Sequence, residues 1–343
     1  MAIKIAFFRV AFLAGIAIGI VAALCQPHTG AQEPAKDPAK DILADGNIKV
    51  GPNYLAAPET KLRTDVPTGT MKSFTMDRKE SKFFPIKPEL KNNPTRKVSV
   101  YIPSQYVSGT TTAFAVIQDA SYMKLLPTIL DNMIHDKKLP VIVPIFVANG
   151  GFDSRGSERG LEYDTISGKY AEFIEAEVLP QVEKETGVKL TKDPEGRCTM
   201  GGSSGGLAAF TMAWYHPELY HRVLIYSGTF VNTQSPANPE TPHGGWEYHD
   251  NNIIAKSEKK PIRIWMEVGE NDNGAKSPAG GYRNWVIANN QMADALKAKG
   301  YHYRYVFANA AGHTDGKVTA QTLPEALLYV WQGYPIGPAA EKK

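Results

Sequence analysis

Past its first 60 residues the chain switches repeatedly between two hydrophobic periods. Short runs rich in Val, Ile, Phe and Tyr alternate with stretches whose apolar residues recur every three or four positions. A pattern of one period does not settle as the other element. Their alternation builds parallel sheets, because the return to a parallel strand needs a crossover, usually a helix. Eight runs are predicted as strands: Met71–Met76, Lys97–Ile102, Ala113–Gln118, Val141–Val147, Arg197–Met200, Arg222–Tyr226, Ile262–Val268 and His302–Ala308. Five segments are predicted as helices: Met123–Asp136, Ile166–Thr186, Leu207–His216, Trp285–Lys299 and Leu323–Trp331. A few strands come first, then strand–helix alternation to the end. That order predicts an α/β fold with a mostly parallel central sheet and helices on both faces. The polar stretch Val231–Asn252 interrupts the alternation and is too long for a routine connection, so it is expected to be a functional insertion over a site.

The N-terminus carries a different message. Lys4 and Arg9 precede an almost wholly apolar run, Val10–Leu24. A charged start before an apolar run too short for the ~20 residues of a span predicts a secretory signal. Thr29-Gly30-Ala31 supplies a small residue for cleavage, so residues 1–31 are read as a signal peptide. Two alternatives stand beside it: an uncleaved anchor, and a lipid anchor at Cys25, although Leu24 is bulky where that processing wants a small side chain. Residues 32–60, with Glu33-Pro34-Ala35-Lys36-Asp37-Pro38, read as a flexible tether, and 61–343 as a single domain. Cleavage would remove two cations and no acid, and would leave Cys198 as the one cysteine, so no internal disulfide is expected. A periplasmic or extracellular protein with no stable membrane insertion follows. The net charge of +3 is too small to imply a nucleic-acid partner.

Arg197–Met200 runs into Gly201-Gly202-Ser203-Ser204-Gly205-Gly206, which opens a helix of small residues. G-x-S-x-G between strand and helix is the nucleophile elbow of α/β-hydrolases. The turn pushes a serine hydroxyl out of the sheet, and the helix N-terminus favours the negative charge of a reacting carbonyl. Two frames fit the pattern, one with Ser203 as nucleophile and one with Ser204. A phosphate loop fails on detail: no Gly-Lys-Ser/Thr follows, and Ser203 replaces the middle Gly of a dinucleotide fingerprint.

A serine nucleophile needs a base, and the base an orienting acid, in the chain order Ser, acid, His. Strand Ile262–Val268 ends in Gly269-Glu270-Asn271-Asp272. Acids there sit at the carboxyl edge of the sheet, where α/β ligand sites lie. Asp272 is the first candidate and Glu270 the second, against two solvated loop acids. His313 follows the last strand, downstream of both, as the base should. The oxyanion hole is expected from the Ser204 N–H and from the loop after Ala113–Gln118, where Ala120 and Ser121 are candidates and Asp119 is a candidate substrate contact. Trp246, Tyr248 and Trp285 either line a pocket or pack in the core. Cys198, on an apolar strand, reads as a buried thiol. No metal motif is present, and His313/Asp315 or His243/His249 alone make no metal site.

These residues resemble the enterochelin esterase-like, or "putative esterase", family. The resemblance rests on Gly-Gly-Ser-Ser-Gly-Gly-Leu-Ala-Ala-Phe (201–210), Val-Gly-Glu-Asn-Asp (268–272) and Gly-His (312–313), and runs from about residue 66 to 333. Ile117-Gln118-Asp119-Ala120 matches an early strand ending in Gln-Asp-Gly, with Ala120 for Gly. Arg159-Gly160-Leu161-Glu162-Tyr163-Asp164 resembles an Arg-x-x-Glu-Tyr-Asp segment whose contacts are expected to be structural. The resemblance implies an α/β-hydrolase fold, no cofactor, a short or absent lid, and Ser203 over Ser204. Together with the expected signal peptide, the Ser–acid–His set reads as a secreted serine esterase, with carbohydrate-linked esters the first substrate class and siderophore-type esters the second. Two readings compete: an acyltransferase passing the acyl group to a sugar or lipid alcohol, and a non-catalytic binding module on the same scaffold.

Overall fold

Among the described residues, four strands come first, and strands and helices then intermix to the last helix. In a computed structural model, residues 43–87, 93–119, 121–152, 156–250 and 252–337 are described; the expected signal peptide and Ala120 lie outside them. The strands are β1 (Gly46–Val50), β2 (Thr70–Asp77), β3 (Thr95–Ile102), β4 (Thr111–Gln118), β5 (Ile142–Val147), β6 (Lys189–Leu190), β7 (Arg197–Gly202), β8 (Arg222–Tyr226), β9 (Arg263–Gly269) and β10 (His302–Ala308). The main helices are α1 (Leu126–His135), α2 (Glu158–Tyr163), α3 (Lys169–Phe173), α4 (Leu179–Thr186), α5 (Ser204–Tyr215), α6 (Ile253–Lys256), α7 (Trp285–Ala298) and α8 (Gly316–Val330).

The sheet order is β1-β10-β9-β8-β7-β4-β5-β3-β2, with β6 beside β4. All pairings are parallel except those of β3 with β2 and β5. The predicted mostly parallel sheet is therefore present. Its central strands are buried on both faces, as crossover helices require. Val116, Ile225 and Met266 point to one side, with Phe173, Leu207 and Met292 of the helices. Ile117, Leu224 and Trp265 point to the other, with Ile129 of α1 and Leu327 of α8. Because β4, β7, β8, β9 and β10 are parallel neighbours, their carboxyl ends open along one edge, and five loops meet there.

Two helices depart from the prediction for reasons of backbone hydrogen bonding. Pro180 has no N–H to give Ala176, and the turn before it widens: the Leu179 N–H donates to Ile174, five residues back. The predicted helix 166–186 is thus α3, a π turn (Ile174–Val178) and α4. The last helix begins at Gly316 and not at Leu323, because Pro324 lies inside it instead of near its start. The Ala320 carbonyl that Pro324 cannot serve accepts the Ala57 N–H at 2.9 Å.

That bond is one of several that tie the segment before residue 61 to the domain. Residues 32–60 were expected as a tether, but β1 pairs with β10 over Gly46–Val50. Tyr54 Oη donates to the Asn309 carbonyl at 2.6 Å, and Asn132 Nδ2 donates to the carbonyls of Glu59 and Lys61. The charged, Pro-rich composition before residue 43 hid a short edge strand whose residues alternate between half-buried and exposed. The insertion at residue 231 also differs from expectation. It packs on α5, and none of its described residues lines the cleft at Ser203.

Candidate active site

Strand β7 delivers Ser203 to the carboxyl edge, and α5 starts at the next residue. Ser203 has φ 56° and ψ −129°, a conformation that non-glycine residues rarely adopt. Backbone bonds hold it there: its N–H donates to the Tyr226 carbonyl at 3.0 Å, and its carbonyl accepts from Thr229 at 3.1 Å. The glycines make the turn possible. A Cβ on Gly201 would overlap the Gly205 carbonyl carbon, and one on Gly206 would lie 2.8 Å from Ile225 Cγ2. Of the two serine frames, only Ser203 occupies the strained apex. Ser204 is buried at the first position of α5, where its N–H has no acceptor within the helix.

His313 reaches Ser203 from the loop after β10. Its Nε2 lies 2.9 Å from Ser203 Oγ, and its Nδ1 lies 2.6 Å from Asp272 Oδ1. The Asp272 side chain is fully buried and also accepts the Asn273 N–H at 2.6 Å. These partners assign the proton: Nδ1–H donates to the carboxylate, leaving Nε2 to accept from the serine hydroxyl. Glu270, the second acid candidate, points away; it is exposed and accepts the Ala310 N–H. Trp285 meets the His313 ring edge-on at 6.1 Å.

Beneath this line sits a carboxyl that sequence reasoning passed over. Glu267 on β9 is completely buried, and neither of its side-chain oxygens has a hydrogen-bond partner among the described residues. Burial pushes its pKa well above the usual range, and Asp272 and Asp315 push in the same direction.

The cleft over Ser203 holds about 500 Å³. Tyr122 and Leu125 give it an apolar side; Arg159, Thr314 and Thr319 give it a polar one. Asp119 and Ser121 line it as well. Asp119, however, is tied at 2.6 and 2.8 Å to Arg159 and at 2.5 Å to Asn149. The Ser121 N–H is used in a turn, donating to Gln118 at 3.3 Å. Trp246 and Tyr248 stand elsewhere. Both are buried in the core, where Tyr248 packs edge-on against Phe210 and donates to Thr211. The packing alternative applies to them because α5 offers an aromatic face.

The remaining candidates have ordinary partners. Glu162 forms a buried bidentate pair with Arg96, and Arg159 stacks on Tyr163 while also lining the cleft, so within 159–164 the Glu162 contacts serve the fold and Arg159 reaches the site. Asp315 caps α8, His243 pairs with Glu247, and His249 donates to the Phe230 carbonyl. Burial pushes the Cys198 thiol up to about 12. Among the described residues, no group of three or more His, Cys, Asp or Glu has metal-binding geometry.

A family model described as "Putative esterase" matches residues 91–329. The chain belongs to that family. The matched span contains Ser203, Asp272 and His313. An uncharacterized protein of Bacillus subtilis (strain 168), YbbA, is 22% identical over 218 residues, covering 60% of this chain and 80% of that protein. Enterobactin esterase FES from Shigella flexneri matches with a TM-score of 0.54 and 18% identity, over 79% of this chain and 61% of that one. A ferulic acid esterase from Anaeromyces mucronatus matches with a TM-score of 0.57 and 14% identity, over 81% and 96%. The chain thus spans about three fifths of the length of the Shigella enzyme. These likenesses establish the α/β-hydrolase fold for this family member, in keeping with the enterochelin esterase-like resemblance.

Proposed function

We propose that the protein is an exported serine esterase that cleaves carboxylic esters through an acyl-enzyme on Ser203. The observation that carries this reading is the hydrogen-bonded line Asp272–His313–Ser203 at the carboxyl edge of the sheet. Ser203 Oγ attacks the ester carbonyl as its proton passes to His313 Nε2. The carbonyl oxygen becomes an oxyanion that the Ser204 N–H, at the start of α5, is placed to receive; Ala120 remains the proposed second donor on sequence grounds alone. Preorganised donors of this kind are worth about 3–4 kcal/mol each. Collapse breaks the ester C–O bond, His313 returns the proton to the leaving alkoxide, and the alcohol departs. Water then repeats the cycle on the acyl-enzyme and releases the acid. Asp272 holds the imidazole in the required tautomer and stabilises its protonated form. No cofactor enters these steps.

Export rests on Lys4, Arg9 and the apolar run Val10–Leu24, with cleavage near Ala31. The substrate class is an ester of a carbohydrate-linked or siderophore-type alcohol. Two features support it: an open cleft of about 500 Å³ with mixed lining, and similarity to proteins described as ferulic acid and enterobactin esterases. The test is hydrolysis of p-nitrophenyl acetate, a feruloylated arabinose oligosaccharide and a catecholate serine ester, by wild type and Ser203→Ala. Activity lost in the variant supports the reading; a fully active Ser203→Ala overturns it. An acyl group recovered mainly on added sugar alcohol would make the enzyme a transferase.

A further inference from the structure

Thr229 touches Ser203 twice. Its N–H donates to the Ser203 carbonyl at 3.1 Å, and its Oγ1 lies 3.4 Å from Ser203 Oγ. It is completely buried just beyond β8, a strand whose carboxyl end faces the same edge as that of β7. A second contact fixes the direction of the hydroxyl. Trp285 Nε1 lies 3.2 Å from Thr229 Oγ1, and an indole N–H can only donate. Thr229 Oγ1 is therefore the acceptor in that bond, and its own proton must go elsewhere. Among the described residues, the one remaining partner of Oγ1 is Ser203 Oγ.

We propose that Thr229 is a positioning residue for the nucleophile, the middle of a one-way chain from Trp285 Nε1–H through Thr229 and Ser203 to His313 Nε2. The inference rests on Ser203 being the nucleophile. Each hydroxyl in the chain accepts one hydrogen bond and donates one, so the directions are mutually consistent. Ser203 Oγ receives from Thr229 and is left to donate to His313, 2.9 Å away. A serine without the Thr229 contact has other staggered rotamers open to it, in which Oγ turns from the base. Trp285 is anchored in turn: Asn289 Nδ2 donates to its carbonyl and to that of Gly228, at 2.9 Å in each case. Bonds aligned head to tail also polarise one another. The 3.4 Å separation is long for a hydroxyl pair, but catalytic contacts in unliganded enzymes tighten as substrate binds.

The experiment compares Thr229→Val, Thr229→Ser and Trp285→Phe with wild type. Its readouts are the second-order rate of inactivation by a fluorophosphonate, and kcat and KM for p-nitrophenyl acetate. Valine keeps the shape of threonine and removes the hydroxyl. Loss of one neutral hydrogen bond in the transition state predicts a fall of about tenfold in kcat and in the labelling rate, with KM unchanged. Serine restores both to within about twofold, since the same hydroxyl is present. Trp285→Phe keeps a ring beside His313 and lowers the same rates less. Thermal melting shows that each variant is folded. Wild-type labelling rates and kcat in a folded Thr229→Val overturn the proposal. So does a Thr229→Ser variant as impaired as Thr229→Val, which would make the role one of packing. A wild type not labelled at Ser203 overturns the serine reading and this inference together.

Discussion

His313 Nδ1 lies 2.6 Å from Asp272 Oδ1, inside the protein, while the neighbouring Glu270 faces solvent. Two acids two residues apart thus have unlike tasks. Asp272→Asn should keep the fold and lower kcat by about 10³- to 10⁴-fold, because the amide favours the wrong imidazole tautomer. Glu270→Gln should stay within about twofold of wild type, as its hydrogen bond serves only an exposed loop. Steady-state kinetics on p-nitrophenyl acetate separate the two. Equal losses would contradict the assignment.

The elbow admits almost no added volume. Gly201→Ala puts a methyl group against the Gly205 backbone, which no side-chain rotation relieves. Overpacking of this kind costs about 1–3 kcal/mol. A lowered melting temperature is expected, together with reduced labelling of Ser203, since the turn must open. Wild-type stability in Gly201→Ala would show that the turn is looser than described.

Glu267 should make stability depend on pH. Its folded pKa is raised above the usual 4.5, so the folded protein keeps a proton that the unfolded chain releases. Below that pH both states hold the proton, and its stabilisation is complete. As pH rises, the unfolded state ionises first and the folded state loses about 1.4 kcal/mol per unit, until the folded pKa is reached. Glu267→Gln does not titrate. Its melting temperature should therefore gain on wild type progressively from about pH 4.5 upward. Parallel melting curves across that range would contradict a protonated Glu267.

The site was legible in the sequence where chemistry and chain order coincide. Ser203, Asp272 and His313 each follow a recognisable strand, and parallel strands bring such positions to one edge. The serine frame was open from the pattern of residues alone; the backbone at Ser203 distinguishes it. Thr229 left no comparable signal, because a single threonine after a strand matches any turn. Glu267 lies inside the predicted strand Ile262–Val268, where the residue pattern does not set it apart. Trp246 and Tyr248 sit in a polar stretch, and their burial depends on Phe210 and Phe230, which come from other parts of the chain. Strand β1 is short and at the edge, so its composition resembled the charged segment before it.

The most direct measurement is reaction of the purified protein with a fluorophosphonate probe, followed by peptide mapping. A single adduct is expected, on Ser203, absent from Ser203→Ala and strongly slowed in His313→Ala. An adduct on Ser204, or none on a folded protein, would contradict the assignment of Ser203.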